Sequence, residues 1–142
     1  MIALLDVNVL ISLMDEDHPS HSASRVWFEQ NHAEGWATCP ITENGCVRIM
    51  SAVSYANPLP LQDVATRLAQ AAAAPEHVFW ADDVSVLDAS TVDTRHVQGA
   101  KQLTDIYLLA LAVKHGGRLV TRDTAIPLHA VHGAKLEHLL VL

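Results

Sequence analysis

The chain alternates short, continuously apolar stretches with longer stretches in which apolar residues recur every three or four positions. A short apolar run is typical of a strand buried on both faces, as in a parallel sheet, and the longer period is typical of an amphipathic helix. The pattern predicts strands at residues 2–5, 35–39, 77–80, 118–121 and 136–142. Strands that alternate with helices indicate one α/β domain, residues 1–142, with crossover helices between parallel strands.

Residues that favour the start and the end of a helix support the same division. The predicted helices cover Val7 to Met14 and Pro19 to about Asn31, and further helices begin at Pro40, Leu61 and Thr104. Thr104 is a favourable N-cap, and Gly116 suits the position just beyond the end of that last helix. Residues 81–103 are predicted to form a loop with one short helix that ends near Gly99.

Composition narrows the class of protein. Hydrophobic residues make up 50% of the 142 residues and charged residues 18%, which leaves room for a large core or for an apolar surface that meets a partner. Nine Lys and Arg against sixteen Asp and Glu give a net charge of −7, which excludes a passive nucleic-acid binder. Cys39 and Cys46 have no metal-binding spacing and indicate reduced core thiols in a cytoplasmic protein. The apolar N-terminus lacks a basic start and contains Asp6, so we expect neither a signal peptide nor a membrane span.

Four acids are expected to meet at one edge of the sheet. Asp6 and Asp123 each follow a predicted strand, whereas Glu43 and Asp105 each lie in the opening turn of a predicted helix. The carboxyl ends of parallel strands and the amino ends of the helices that follow them share one edge. Clustered carboxylates repel one another, and a hard divalent cation such as Mg²⁺ or Mn²⁺ relieves that repulsion. This placement predicts a metal-dependent phosphodiesterase. Taken alone, Asp6 is explained equally well by helix capping, and Asp105 is better explained by the stabilisation of an anion in the first turn of a helix.

The segments that carry these acids resemble, in order, the four acidic motifs of PIN domains, and more narrowly those of VapC-type toxins from bacterial toxin–antitoxin pairs. The segments are residues 4–10 (LLDVNVL), 42–48 (TENGCVR), 104–110 (TDIYLLA) and 119–123 (LVTRD). The resemblance implies a three-layer α/β/α sandwich with a mostly parallel sheet of four to five strands. It also implies an endoribonuclease that depends on Mg²⁺, for which Mn²⁺ can substitute.

The resemblance also assigns roles to residues. It implies that Asp6 and Asp105 bind metal directly, that Asp123 assists the first ion, and that Glu43 lies closer to a second ion or to the attacking water. Whether one ion or two are bound stays open. The family's supporting polar positions are matched by Asn8, Thr104 and Thr121. Arg122 stands where the family usually has an aromatic or aliphatic residue, which affects substrate contacts or the pose of Asp123.

Substrate and partner expectations follow from charge and from the resemblance. The candidate contacts for RNA phosphates are Arg48, Arg95, Lys101 and Arg122, although an ordinary solvated charge also explains each of them. An active ribonuclease would harm its own cell, so a cognate antitoxin is expected. Such a partner would lay an amphipathic helix in an apolar groove and direct a basic residue toward Asp6 and Asp105. A two-fold homodimer is also expected.

Two other classes of protein remain as alternatives. A haloacid-dehalogenase-like phosphatase also begins with an Asp after a buried strand, but it requires a second Asp where Asn8 stands and a lysine motif that is absent. A non-catalytic acidic protein-binding module is the other alternative, although a scaffold has no reason to cluster carboxylates. The nine His residues lack the spacing of a zinc site.

Overall fold

The computed structural model describes residues 1–142 and contains a five-stranded parallel sheet with the strand order β3-β2-β1-β4-β5. The strands are β1 (Ala3–Leu5), β2 (Trp36–Thr38), β3 (His77–Phe79), β4 (Arg118–Thr121) and β5 (Leu139–Val141). In register, Leu4 of β1 lies between Ala37 of β2 and Leu119 of β4. The first strand is therefore at the centre of the sheet, where its continuous apolar run is buried on both faces.

Helices cover both faces of this sheet. They are α1 (Val7–Met14), α2 (His21–Asn31), α3 (Pro40–Ser51), α4 (Leu61–Ala72) and α5 (Leu103–Lys114). Leu5 and Val120 pack into a core with α1, α3 and α4, whereas Leu4 and Leu119 pack into a second core with α5. Successive strand residues point to opposite faces, so each central strand supplies both cores. The predicted α/β/α sandwich is confirmed.

Several predicted boundaries are wrong. Thr104 is not the N-cap of α5, because a 3₁₀ turn at Ala100–Gln102 runs directly into the helix and Gln102 occupies the cap position. The last strand begins at Leu139 rather than 136, because the buried His138 ring accepts a hydrogen bond from the Lys135 N–H (2.9 Å) and closes a 3₁₀ turn. Residues 81–103 contain two 3₁₀ turns instead of one short helix.

Two further features bear on the expectations above. Cys39 and Cys46 are buried and free, as predicted. None of the helices combines the length and the apolar character that crossing a membrane requires.

Candidate active site

Asp6 lies at the switch point of the sheet, between β1 and β4, where the order of the strands changes direction. The chain runs from β1 to β2 and β3 on one side and then returns to β4 and β5 on the other. Ligands of open α/β sheets bind at the carboxyl ends of the strands that flank such a point. Asp6 follows β1 directly and is 5% exposed. Its Oδ1 accepts a hydrogen bond from the Val7 N–H (2.7 Å), which caps α1, and its Oδ2 accepts one from the Thr121 hydroxyl (2.6 Å). Capping and participation in a site are thus compatible roles of one side chain.

Thr121 connects the ends of β1 and β4. Its hydroxyl donates to Asp6 and accepts from the Asp123 N–H (3.1 Å) and from the Asn8 side-chain amide (3.3 Å). The Asn8 carbonyl oxygen accepts from the Arg122 N–H (3.1 Å). Asn8 and Thr121 therefore connect the loops that carry Asp6 and Asp123 through hydrogen bonds.

Asp105 faces the same region from the first turn of α5. Burial and the negative charges of Asp6 and Asp123 together raise the pKa of its carboxyl to about 7. Burial also raises the pKa of Asp6, although the hydrogen bonds from Thr121 and Val7 and the nearby charge of Asp123 act on it too. None of the salt bridges in the structure involves these three acids. The charged forms of Asp6 and Asp105 are therefore destabilised, and neither carboxylate forms an ion pair with a protein cation.

A cavity of about 640 Å³ opens over Asp6 and Asp105, and we call it the acid cavity. Its wall includes Asn8 and Thr104, together with Gly45 and Arg48 of α3. Gly45 is required there because an added Cβ would lie 2.7 Å from Val7 Cγ2, so α3 could not approach the start of α1.

The sequence interpretation missed one acid of this cavity. Asp82 lies in its wall, just beyond the end of β3. The signal was available, because Asp82 follows a predicted strand as Asp6 and Asp123 do. It was overlooked because residues 81–103 carry no periodic pattern.

Glu43 departs from the expected convergence. It does not line the acid cavity but faces a neighbouring cavity beside α4, and Pro40 and Asn44 line both. Its Oε1 accepts a hydrogen bond from the Thr38 hydroxyl (2.6 Å). The structure thus brings Asp6 and Asp123 close to Asp105, although Asp123 does not line the acid cavity. Glu43 lies at the border of their site, in the wall of the neighbouring cavity.

The four candidate phosphate contacts differ in position. Arg48 lines the acid cavity. Arg95 is exposed and forms an ion pair with Asp93 (Nη2 to Oδ2, 2.8 Å). Lys101 is exposed on the 3₁₀ turn before α5, and Arg122 lies between Thr121 and Asp123 without lining the cavity.

The donors of this site suit a hard divalent cation. They are carboxylate and amide oxygens, and the raised pKa values show that added positive charge would stabilise their ionised forms. No three Asp, Glu, His or Cys side chains form a closed ligand cluster. Mg²⁺ does not need one, because it keeps several waters and commonly uses one or two protein carboxylates. The residues present therefore fit such an ion.

A parallel α/β sandwich with a carboxylate cavity at its switch point defines the class of protein. A model of the PIN domain matches residues 3–131. Ribonuclease VapC44 of Mycobacterium tuberculosis (strain ATCC 25618 / H37Rv) is 46% identical over 142 residues, which cover 100% of both chains. Ribonuclease VapC39 of the same strain is 45% identical over 128 residues, 89% of this chain and 91% of that protein. Ribonuclease VapC38 is 40% identical over 126 residues, 88% and 87% of the two chains. The chain belongs to the PIN-domain family and, within it, to the VapC-type ribonucleases.

Proposed function

We propose that this protein is the endoribonuclease toxin of a toxin–antitoxin pair, and that it hydrolyses RNA phosphodiester bonds in the cytoplasm with the help of Mg²⁺ or Mn²⁺. The observation that carries the proposal is the pKa of Asp105, which burial and the charges of Asp6 and Asp123 raise to about 7 beside an open cavity. Strongly perturbed pKa values cluster at functional sites, so such a carboxyl beside an open cavity supports a functional role. The names of the VapC relatives support ribonuclease activity.

The ion would be held by Asp6 and Asp105, with Asp123 assisting. When bound, it supplies charge neutralisation for the phosphodiester and the activation of a water molecule. Asp6 is pre-oriented for this task because Thr121 and Val7 fix both of its oxygens. Asp105 must lose its proton to bind the ion, so its affinity for metal increases as the pH rises toward 7.

The substrate phosphate would meet Arg48, the one candidate cation in the wall of the acid cavity. A guanidinium can donate two hydrogen bonds to a phosphate and fix its orientation. Lys101 and Arg122, on the segments before Asp105 and Asp123, would hold the RNA backbone further along. Asp82 lies in the wall of the same cavity. Its negative charge would repel an RNA phosphate that no bound cation neutralises.

The proposed antitoxin has a groove available to it. Leu10 and Leu13 of α1, Phe28 of α2 and Leu68 of α4 line a largely apolar cavity of about 400 Å³, with charged residues at its rim. An amphipathic helix of a basic partner fits this groove, because the chain carries a net charge of −7. A basic residue of that partner would then reach toward Asp6 and Asp105. Two-fold self-association is a separate part of the proposal, which light scattering of the purified chain measures.

The decisive experiment uses the purified chain, a structured RNA, and a chelator with or without added Mg²⁺ or Mn²⁺. We expect cleavage only with metal, and a loss of about a thousandfold or more in Asp6→Asn and Asp105→Asn, as when one preorganised electrostatic group is removed from an active site. Asp93→Asn, outside the cavity, is the matched control and should cleave normally. Cleavage that survives exhaustive chelation, or full activity in Asp105→Asn, would refute the proposal.

The partner is tested separately, by coexpression with the product of the neighbouring reading frame. Copurification and loss of cleavage in the complex are expected. Replacing the partner's cavity-facing basic residue should partly restore activity. If no neighbour binds and expression is harmless to cells, the toxin role is wrong while the nuclease remains.

A further inference from the structure

A row of three hydrogen-bonded side chains crosses from α3 to the edge of the sheet. The Thr38 hydroxyl at the end of β2 donates to Glu43 Oε1 (2.6 Å), and the Thr38 hydroxyl oxygen also lies 2.8 Å from Nε2 of His77 in β3. Thr38 is completely buried. A buried hydroxyl with both of its hydrogen-bonding directions used has little freedom to move.

The protons of this row can be assigned by counting donors. A hydroxyl has one proton, and Thr38 gives it to the carboxylate of Glu43. The contact with His77 therefore uses a lone pair of the hydroxyl oxygen, so Nε2 of His77 carries a proton and donates it. Each donor thus points toward the carboxylate, and the row polarises in one direction.

The sheet and its aromatic packing fix the imidazole. His77 is paired in register with Trp36, so its ring reaches diagonally to Thr38 on the same face of neighbouring strands. The ring of Trp36 packs against it at 4.5 Å between centroids, with an angle of 61° between the planes. The donor nitrogen is therefore held by rigid strands rather than by a loop.

Only one oxygen of Glu43 is restrained in this way. Oε1 is occupied by Thr38, and no hydrogen bond fixes Oε2. The next residue, Asn44, lines the acid cavity and the neighbouring cavity that Glu43 lines. A free glutamate on a helix surface samples many rotamers, and restraining one oxygen removes most of that freedom.

We propose that Thr38 and His77 are positioning residues for Glu43, which hold its carboxylate through Oε1 at the border of the acid cavity and leave Oε2 free of protein hydrogen bonds. This inference rests on the proposed nuclease function, in which Glu43 assists the attacking water. The pair acts through Glu43 and contacts neither substrate nor metal. Its loss should therefore lower kcat and leave KM nearly unchanged.

The test compares Thr38→Val, which keeps the shape and removes the hydroxyl, with Thr38→Ser, which keeps the hydroxyl. We expect kcat to fall about 10- to 100-fold in Thr38→Val, as when an outer partner of a catalytic ligand is removed. Thr38→Ser should recover most of that loss, and KM should change less than about twofold in both. Thr66→Val, on the exposed surface of α4, is the matched control with unchanged kcat.

A spectroscopic measurement gives a readout independent of activity. In the parent chain the Nε2 proton of His77 should exchange slowly with water and give a resolved NMR signal, which persists in Thr38→Ser and disappears in Thr38→Val. If Thr38→Val does not fold, His77→Leu replaces it, with His77→Gln as the variant that retains a donor. The same order of kcat values is expected.

Failure of this inference differs from failure of the proposed function. If Glu43→Gln is inactive while Thr38→Val or His77→Leu keeps full kcat, the positioning role is wrong and the nuclease stands. If Thr38→Ser loses as much kcat as Thr38→Val, the hydroxyl is not the cause and the inference is also overturned. If Glu43→Gln is fully active, Glu43 takes no part in the reaction and the inference is overturned while the nuclease stands. If the parent chain cleaves no RNA, the proposed function itself fails.

Discussion

The carboxylates of the acid cavity and the carboxylate of Asp93 show opposite electrostatic behaviour in one small domain. Asp93 lies between β3 and α5, where the Arg95 guanidinium donates two hydrogen bonds to it (2.9 and 2.8 Å) and lowers the pKa of its carboxyl. Asp105 has no cationic partner, and burial together with the charges of Asp6 and Asp123 raises its pKa to about 7. The fold therefore balances the charge of Asp93 with an arginine, whereas it leaves the carboxylates at the switch point of the sheet without a balancing cation.

The contrast locates a destabilising arrangement of charges at the acid cavity. Adjacent carboxylates without counter-charge destabilise the folded chain, and natural proteins keep such arrangements where function requires them. A cation bound at the acid cavity would offset the repulsion between these carboxylates. Asp93 already pairs with Arg95, so an added cation would gain little there.

The largest expected effect is stabilisation by a divalent cation. At a concentration one hundred times its dissociation constant, Mg²⁺ should stabilise the folded chain by about 2.7 kcal/mol. That corresponds to an increase of roughly 5–10 °C in Tm for a chain of this size. Differential scanning fluorimetry with chelator and with Mg²⁺ measures it. Asp105→Asn should lose most of the increase.

The control for this measurement comes from the other side of the comparison. Asp93→Asn removes one carboxylate as well, but it leaves the acid cavity intact and should keep the full shift in Tm. An equal loss in Asp93→Asn and Asp105→Asn would mean that metal binds diffusely to a chain of net charge −7, and the contrast between the two regions would be wrong.

The second effect is the dependence of metal-free stability on pH. Asp105 binds its proton more tightly in the folded chain than in the unfolded chain, whose Asp pKa is about 3.9. The stabilising effect of that proton is complete below about pH 4 and is lost as the pH rises toward 7. After a reduction for partial exposure to solvent, we expect a loss of about 1–2 kcal/mol. Urea unfolding in chelator across this range measures it.

Two substitutions separate the contributions to that pH dependence. Asp105→Asn should flatten the decline and raise the metal-free Tm at neutral pH, because it removes a repelled charge. Asp93 has a lowered pKa, so its stabilising effect is present above the unfolded pKa and is lost on acidification. Asp93→Asn should therefore leave the decline between about pH 4 and pH 7 in place. A flat profile in the parent chain would show that Asp105 ionises normally.

The central part of the fold was predictable because its signals are local. The buried runs in β1 and β4 mark strands whatever surrounds them, and Pro40 marks the start of α3 because its ring suits the first helical position. Thr104 was misassigned because a cap depends on the backbone before it, and the 3₁₀ turn at Ala100–Gln102 leaves no local signature. Residues 81–103 are held by contacts with distant segments, such as the bridge between Val92 and Val131.

The site was predictable to the same extent. The position of an acid at the end of a strand follows from the topology, which is why Asp6 and Asp123 could be expected at one edge of the sheet. The direction of a side chain within a helical turn does not, so Glu43 was expected in the acid cavity although Thr38 holds it at the border. His77 could not be identified from sequence, because its partner Thr38 lies 39 residues away and the link depends on strand register.

The smallest expected effect concerns the two arginines that the comparison separates. Arg48 lines the acid cavity without a salt bridge, whereas Arg95 already gives its hydrogen bonds to Asp93. A phosphate at the cavity gains a charge-assisted contact from Arg48, so Arg48→Ala should raise KM about fivefold, a loss of roughly 1 kcal/mol, with kcat nearly unchanged. Arg95→Ala should change KM less than about twofold, because an exposed pair outside the cavity contributes little.

Steady-state cleavage of a short RNA at two salt concentrations measures the KM of both variants. Added salt should reduce the difference in KM between the parent chain and Arg48→Ala. Equal effects of the two substitutions would place the RNA across the segment between β3 and α5 rather than in the acid cavity.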